Sequence, residues 1–531
     1  MATYYFCDNT GPGAATGCPV GDNANAGTDP SLPKQNLVSF NISGAANTYR
    51  FARGSSTQLT ATLSPGSGLS LTNRTVIEDY GHPGFASAQK PILIAAVNAS
   101  GVGIDFITLQ KKYFFHIRNL NVKGGGAGGQ GFGFSCGLSQ HVLVENCEVS
   151  QFAVGTSASE SDLTFRVGFI SFVNCEIHHN RVHGHFGGAD HLLIEGCNIH
   201  HNGSLNSGRD HNIYIGVTAA PQYNITIRNN TLTFNEQYAK TGSKSVAMVF
   251  HGFFPNLLIE GNTIIDFECD YGHTGIAVNG VTGNLLGKEG FPNLIIRDNL
   301  IVGDKRAQVG ITWNNAEDAI VENNTVVLLN GQENFAGIIW GNESPNLSRG
   351  DPTGARAKVR NNTVYAYWAF SSNENLIGGL RANILDDGGD EVVGNLVIFD
   401  QPDYPTRRLN AFNFHGRPAS EFALVANNLA FGITGNFAWS REYTTLAQAQ
   451  DAGFDTGSIN ANPLLVAPPS AANGYAVVLQ AGSPAVGASH ATKSARLAFG
   501  RKVPVGARDI GSGQRGATVV APECPAVRKI V

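Results

Sequence analysis

Charge is scarce in this chain: Asp, Glu, Lys and Arg make up 15% of its 531 residues, and the formal net charge is -5. Without a concentrated basic surface there is no general attraction to nucleic acid or to an anionic membrane. Long apolar runs are missing too, and no stretch approaches the ~18 residues of a membrane-spanning helix. Runs of Ala, Leu, Glu and Lys are few, which argues against a helical bundle. The eight cysteines include no CxxC pair, so a zinc ribbon is excluded. The opening MATYYFCDN has no charged, apolar, small-residue leader. A secreted or periplasmic monomer whose leader was replaced by an initiating Met is expected. What the chain holds in abundance is glycine, 64 residues, far above the usual ~7%. That is the composition of a turn-rich, β-rich protein.

This length fits either several domains or one long solenoid, so internal periodicity has to decide. The segments VENCEV, FVNCEI, IEGCNI, IRNNTL, IEGNTI, IRDNLI, VENNTV, VRNNTV, VVGNLV and VANNLA all place Cys or Asn fourth. The column comprises Cys147, Cys175, Cys197, Asn230, Asn262, Asn299, Asn324, Asn362, Asn395 and Asn428, with spacings from 22 (Cys175 to Cys197) to 38 (Asn324 to Asn362). A fixed minimum with variable excess is what a coil with insertable loops produces. In a parallel β-helix, coils stack at the ~4.8 Å strand spacing. An Asn at a bend then bonds the coils above and below, satisfying backbone groups that the bend leaves unpaired. Cys fills the same seat as a small buried hydrophobe. The expected fold is all-β: a single-stranded parallel β-helix with an Asn/Cys ladder, an entry cap over 1–36, the solenoid over 37–465 and a terminal cap over 466–531. Residues 400–460 break the repeat and are expected to form a longer loop or short helix. Cys7 and Cys18 flank a Gly/Pro/Asn loop and are a candidate disulfide.

These features resemble the right-handed parallel β-helix proteins of bacterial carbohydrate metabolism. TYYFCDN followed by GDNANAGTDPSLP is similar to that family's leading strand and Asn/Gly-rich entry. NPLLV (462–466), LQAGSPAVGAS (479–489) and RDIG (508–511) are similar to the terminal cap of its secreted members. The resemblance implies a right-handed coil. It does not fix a reaction, because the fold carries lyases, hydrolases, epimerases and phage tailspikes.

A site must therefore be found, and histidine marks one. Nine of the fifteen histidines lie between 178 and 251: His178, His179, His183, His185, His191, His200, His201, His211 and His251. The HHN triplets at 178–180 and 200–202 repeat the 22-residue step of Cys175 and Cys197, so they stack on adjacent coils. They read as polar turns; a transition-metal site using His183, His185 and a stacked histidine is the alternative. Aligning VHGHF (182–186), HNIYI (211–215), KSVAM (244–248) and TGIAV (274–278) puts His183 or His185, then His211 and Tyr214, then Lys244 on one outer face. Neighbouring coils are ~5 Å apart, within one sugar's reach. The stretch GRDHNIYIG adds Arg209 and Asp210 at the mouth of that strand, while alternation turns Ile213 and Ile215 inward.

β-Elimination from a uronic-acid glycan needs such a set. A cation or strong donor must neutralise the carboxylate, a base must take the C5 proton and an acid must protonate the leaving oxygen. Arg209 or a calcium ion is assigned the carboxylate, Lys244 or His211 the base, and Tyr214 the acid. Asp210 orients His211 or ligates the cation. His183, His185, Arg181, Asp210, His251, Tyr271 and His273 are the expected substrate-binding residues, and an acidic polysaccharide is the expected partner. No cofactor is required by the sequence; calcium is the one candidate.

A narrower similarity concerns SKS at 243–245, which resembles the lysine-bearing strand of chondroitinase B and the family 6 alginate lyases. That resemblance implies Lys244 as base. The Arg those enzymes carry on the following coil has no counterpart here, where DYGHTGIAV places His273. A glycosidase built on paired carboxylates is the rival enzyme class, with Asp210, Glu236, Asp266, Glu268 and Asp270 as its candidates. A C5-epimerase would use the lyase groups. A tailspike or adhesin shaft is the non-enzymatic reading, against which stands the confinement of the His/Tyr/Lys cluster to a few coils.

Overall fold

The bend within each ladder segment decides the architecture. In the computed structural model the residue before the ladder seat is left-handed in coil after coil: Asn146 (φ 50°), Asn174 (52°), Gly196 (65°), Asn229 (56°), Gly261 (64°), Asp298 (58°), Asn323 (57°), Asn361 (51°), Gly394 (69°) and Asn427 (53°). Gly, Asn and Asp enter that region at the lowest cost. This is why the repeat reads NC, GC, NN, GN or DN. The structure describes residues 1–488 and 511, apart from 38–41, 99, 126–130, 160–166, 204–209, 217–219, 234–244, 267–272, 280–288, 304–306, 330–335, 342–355, 368–377, 383–387, 401–408, 433–436 and 441.

Each coil lays down three short strands, for example Gln140–Glu145, Glu148–Ser150 and Val154–Ser157, before Gly168–Val173 opens the next. Equivalent strands pair in parallel and in chain order, giving sheets of 14, 14 and 12 strands among the described residues. Inward seats of the first sheet are fully buried aliphatic and aromatic side chains, among them Val144, Phe172, Ile194, Ile227, Ile259, Ile296, Val321 and Val359. Its outer face carries alternating charges that pair between coils, as in Arg228 with Glu195 at 2.8 Å and Arg297 with Glu260 at 2.6 Å.

The ladder expected from the sequence is present. From Asn230 through Asn262, Asn299, Asn324, Asn362 and Asn395 to Asn428, each Nδ2 donates to the Oδ1 of the next at 2.9–3.1 Å. Each Nδ2 also donates to a backbone carbonyl of an earlier coil, such as Asn299 to Ile259 O at 3.0 Å. The cysteines continue the column downward: Cys197 N donates to Asn230 Oδ1 at 2.9 Å, and Cys175 N to Cys197 Sγ at 3.4 Å. A shorter column of Asn180, Asn202 and Asn212 runs beside it, linked Nδ2 to Oδ1 at 3.0 Å in both steps.

At the amino-terminal end Thr3–Phe6 pairs in parallel with Thr48–Ala52 and heads the first sheet. The Sγ atoms of Cys7 and Cys18 stand 3.9 Å apart, unbonded and buried. At the other end Tyr475, Val477, Leu479 and Ala485 fold back over the outer face of the second sheet, against Val302, Val327, Tyr365 and Ile398. The expected break at 400–460 is corrected in part. Leu409–Asn413, Phe422–Ala426, Leu429–Gly432 and Phe437–Ser440 continue the three sheets, with Phe412, Val425, Ala430 and Trp439 buried. A 3-10 turn at Ala419–Glu421 interrupts them, and after Ser440 an α-helix forms, Leu446–Asp451, started by a Thr445/Gln448 capping box.

Candidate active site

The site grows from a corner in the third sheet. Registered positions along that sheet are held by Gly133, Gly155, Gly184, Asn212, Ala247, Gly275, Gly310, Gly337 and Gly379. A Cβ at Gly184 would lie 2.7 Å from Ile199 Cγ2 and 2.9 Å from Asn202 Nδ2, so this position faces the interior and has little room for a side chain. The next residue is buried as well: His185, Ile213, Met248 and Ile276 are wholly covered. Two successive inward residues form the corner and leave those on either side, His183 with Phe186 and His211 with Tyr214, on the outer face.

Strand register then brings the four rings together. Phe186 pairs with Tyr214 across adjacent coils, and their rings stack at 5.5 Å and 7°. His183 lies 5.7 Å from His211 at 13°, and 5.4 Å from Tyr214 at 22°. His211 is 5.6 Å from Tyr214 at 12°. His251, one coil on, meets the Tyr214 ring edge-on at 5.7 Å. These spacings are those of offset-stacked and T-shaped rings.

Hydrogen bonds fix the tautomers. His211 Nδ1 donates to Val246 O at 3.0 Å, which leaves Nε2 with its lone pair. His183 Nδ1 accepts from the backbone N–H of His211 at 3.1 Å, so its proton is on Nε2. Burial pushes the pKa of His211 down to about 3 and that of His183 down to about 4. His251 donates from Nδ1 to Asn279 O at 2.8 Å, and burial lowers its pKa too. The face therefore carries uncharged imidazoles, one with its proton on Nε2 and one with its lone pair there, beside a phenol.

Several expectations change. His185 does not face the groove: its Nδ1 accepts from Thr156 Oγ1 at 2.9 Å, its Nε2 donates to Gly187 O at 3.0 Å, and its ring meets Phe172 in the interior. The transition-metal alternative on His183 and His185 fails with it, because both ring nitrogens of His185 are engaged. The inter-coil register also differs. His185 pairs with Ile213, one residue from the alignment drawn on sequence, and His211 pairs with Val246, two residues from the expected Lys244. The physical reason is size, since Met248 and Phe250 take the inward seats stacked on Ile213 and Ile215. Asp210 is wholly buried and is not a groove residue. Arg181 is half-buried, with its backbone N–H on Phe152 O.

Arg209, Lys244 and Tyr271 lie outside the described residues, as do Glu236, Glu268 and Asp270, and of His273 and Asp266 only the backbone is described. Sequence reasoning missed two residues. Neither Phe186 nor Asn212 stands out in the aligned strand segments. The signal for both was the column of small residues, in which the coil carrying HNIYI places Asn where glycine is the rule; there Asn212 Oδ1 accepts from Asn202 at 3.0 Å.

Residues 102–278 match the family model described as a right handed beta helix region. With the three parallel sheets, this makes the chain an all-β, right-handed parallel β-helix, the hand that parallel crossovers take almost without exception. The curated proteins contain no match. Among solved structures the chain is similar to the GH136 lacto-N-biosidase from Eubacterium ramulus, at 12% identity over 87% of this chain and 67% of that one, TM-score 0.34. PfbA, a surface adhesin of Streptococcus pneumoniae, matches at 11% identity over 70% and 83%, TM-score 0.41. The pectate lyase Pel9A matches at 12% identity over 97% and 96%, TM-score 0.32.

Proposed function

We propose that this protein is a secreted carbohydrate-active enzyme that cleaves a uronic-acid-containing glycan by β-elimination, with His211 as base and Tyr214 as proton donor. The observation that carries the reading is the fixed tautomer of His211, whose Nδ1–H is held by Val246 O while Nε2 is left as a lone pair next to the Tyr214 ring. A base must be unprotonated before it acts, and burial keeps this one so throughout the neutral range. A low proton affinity in the free site is raised when a uronate carboxylate arrives, since a nearby negative charge favours the imidazolium.

His211 Nε2 takes the C5 proton. The electron pair of that C–H bond forms the C4=C5 double bond, the C4–O bond breaks, and Tyr214 gives its proton to the departing oxygen. The Nε2–H of His183 is assigned to a sugar hydroxyl, beside the stacked edges of Phe186 and Tyr214. Arg209, or a calcium ion, is assigned the carboxylate, and Lys244 is the competing base. A glycosidase needs two opposed carboxylates, whereas the described residues bring imidazoles and a phenol to this face.

The experiment is incubation with alginate, pectate, glucuronan and glycosaminoglycans, following the ultraviolet absorbance of the new C4=C5 bond and, in parallel, reducing ends. Unsaturated products are expected. Reducing ends without unsaturation would replace the lyase by a hydrolase, and glycan binding without either product would replace the enzyme by an adhesin.

A further inference from the structure

The HHN triplets take no part in that reaction, yet they form the most ordered cluster of titratable groups outside it. His178 and His200 stack at 5.0 Å and 7°, and His179 and His201 at 4.9 Å and 1°. Between sequence neighbours, His178 with His179 and His200 with His201, the planes are nearly perpendicular and the two Nδ1 atoms face each other at 2.7 Å. The other nitrogen of His178 meets Glu148 Oε1 at 3.4 Å, and that of His200 meets Glu176 Oε1 at 3.1 Å.

Protons can be counted. Two neutral imidazoles carry two protons, one on the His178 Nε2 that donates to Glu148 and one between the two Nδ1 atoms. The same count holds for His200, Glu176 and His201.

We propose that each His–His pair, His178 with His179 and His200 with His201, is a two-nitrogen seat for a tetragonal divalent transition ion, Cu(II) before Ni(II), with solvent completing the coordination. Ligand type orders the metals, since imidazole nitrogens take Cu(II) ahead of Ni(II) and Zn(II). At a metal–nitrogen distance of 2.0–2.1 Å, cis ligands of a square-planar or tetragonal ion lie about 2.9 Å apart. The observed 2.7 Å is an N–H···N hydrogen bond, so the two Nδ1 atoms part slightly and turn toward a common ion as it replaces the proton.

The carboxylates are a second, independent pointer. A ligating histidine characteristically donates its other ring N–H to a carboxylate, which fixes the tautomer and raises basicity. Glu148 and Glu176 hold those positions. His179 and His201 are both left-handed, at φ 52°, the bend that precedes the seats of Asn180 and Asn202 as it precedes the rungs of the main ladder. His179 is exposed, which gives an ion access. At the exposed His179 the proton between the Nδ1 atoms moves to Nε2 on binding, so that seat fills without a change in protein charge. Among the described residues no third His, Cys, Asp or Glu closes either seat, consistent with solvent as the remaining ligands.

The test is titration of the full chain with CuCl2, NiCl2 and ZnCl2, read by electron paramagnetic resonance and calorimetry. Two Cu(II) per chain are expected, each with the hyperfine pattern of two imidazole nitrogens, bound more tightly than Ni(II) or Zn(II). His179→Asn with His201→Asn should abolish both, and Asn is compatible with the left-handed backbone. Glu176→Gln should weaken one seat about tenfold without removing it. Unchanged copper binding in the double variant would overturn the proposal, as would zinc binding tighter than copper. Should the double variant fail to fold, Glu176→Gln still decides, because equal affinity at both seats contradicts the role given to the carboxylate.

Discussion

His211 donates its backbone N–H to Nδ1 of His183 at 3.1 Å, and the two rings stack on adjacent coils at 5.7 Å. One contact thus sets the tautomer of one imidazole and the position of the other. Replacing either ring alters both.

On the lyase reading, His211→Ala and Tyr214→Phe should each lower kcat by about 100-fold or more, the usual range for a lost proton-transfer group. Neither should change the β-sheet circular dichroism, since neither side chain fills the aliphatic interior of the solenoid. Lys244→Ala is the companion measurement. If it alone inactivates, the base has been misassigned.

Acid should destabilise the fold through its buried histidines. His183, His185 and His211 have pKa values pushed down to about 4, 4 and 3, below the unfolded value of ~6.5. Between those limits the unfolded chain binds more protons than the folded one, so stability is complete above about pH 6.5 and falls as pH drops toward the folded values. Each group fully in that window contributes a slope of up to roughly 1.4 kcal/mol per pH unit. Urea midpoints measured from pH 7.5 to 4.5 should decline, and His185→Leu should flatten the decline. A midpoint independent of pH over that interval would contradict the burial of these rings.

The ladder can be tested at its centre. Asn299 donates to Ile259 O and Asn324 Oδ1, and its Oδ1 accepts from the backbone and side chain of Asn262. Asn299→Ala strands these groups in the interior and should cost about 3–5 kcal/mol, from a penalty of 1–3 kcal/mol for each unsatisfied group. Cys197→Asn should be tolerated far better, because Asn230 Oδ1 already meets that seat. Equal losses in thermal denaturation would show that the amide bonds are not what the column supplies.

Along the small-residue column, Gly310→Ala brings a methyl group to 2.4 Å from Val326 Cγ1 and 2.6 Å from Gly337 O. Overpacking of this kind typically costs 1–3 kcal/mol. A melting temperature equal to that of the parent would mean that the corner has more slack than its contacts indicate.

Sequence made the coil legible because the coil is a repeated local event. One left-handed residue, one buried Asn or Cys and one inward aliphatic recur in every ladder segment, so a column such as Asn262, Asn299 and Asn324 is visible without any structure. The site was only half legible. Alternation placed Tyr214 outward and Ile213 and Ile215 inward, as found. Alternation fails at the corner, where Gly184 and His185 both turn inward, so His185 was misplaced and Phe186 missed. Inter-coil register was harder still. Two strands, Thr226–Arg228 and Thr231–Thr233, and their connections separate HNIYI from KSVAM, and the choice of Val246 opposite His211 rests on which bulky side chains fit the interior.

The ladder also governs how this protein can change length. Each rung bonds only to its neighbours, so the molecule grows or shrinks in whole coils, never in fractions of one. Removing the coil that carries Asn362 would leave Asn324 facing Asn395, the same partner chemistry one strand spacing nearer. The rings at His183, His211 and Tyr214 would keep their mutual geometry while the distance from them to the carboxy-terminal cap shortened by a single step of ~4.8 Å. On the lyase reading, reach along a bound glycan is thus adjustable independently of the chemistry performed on it.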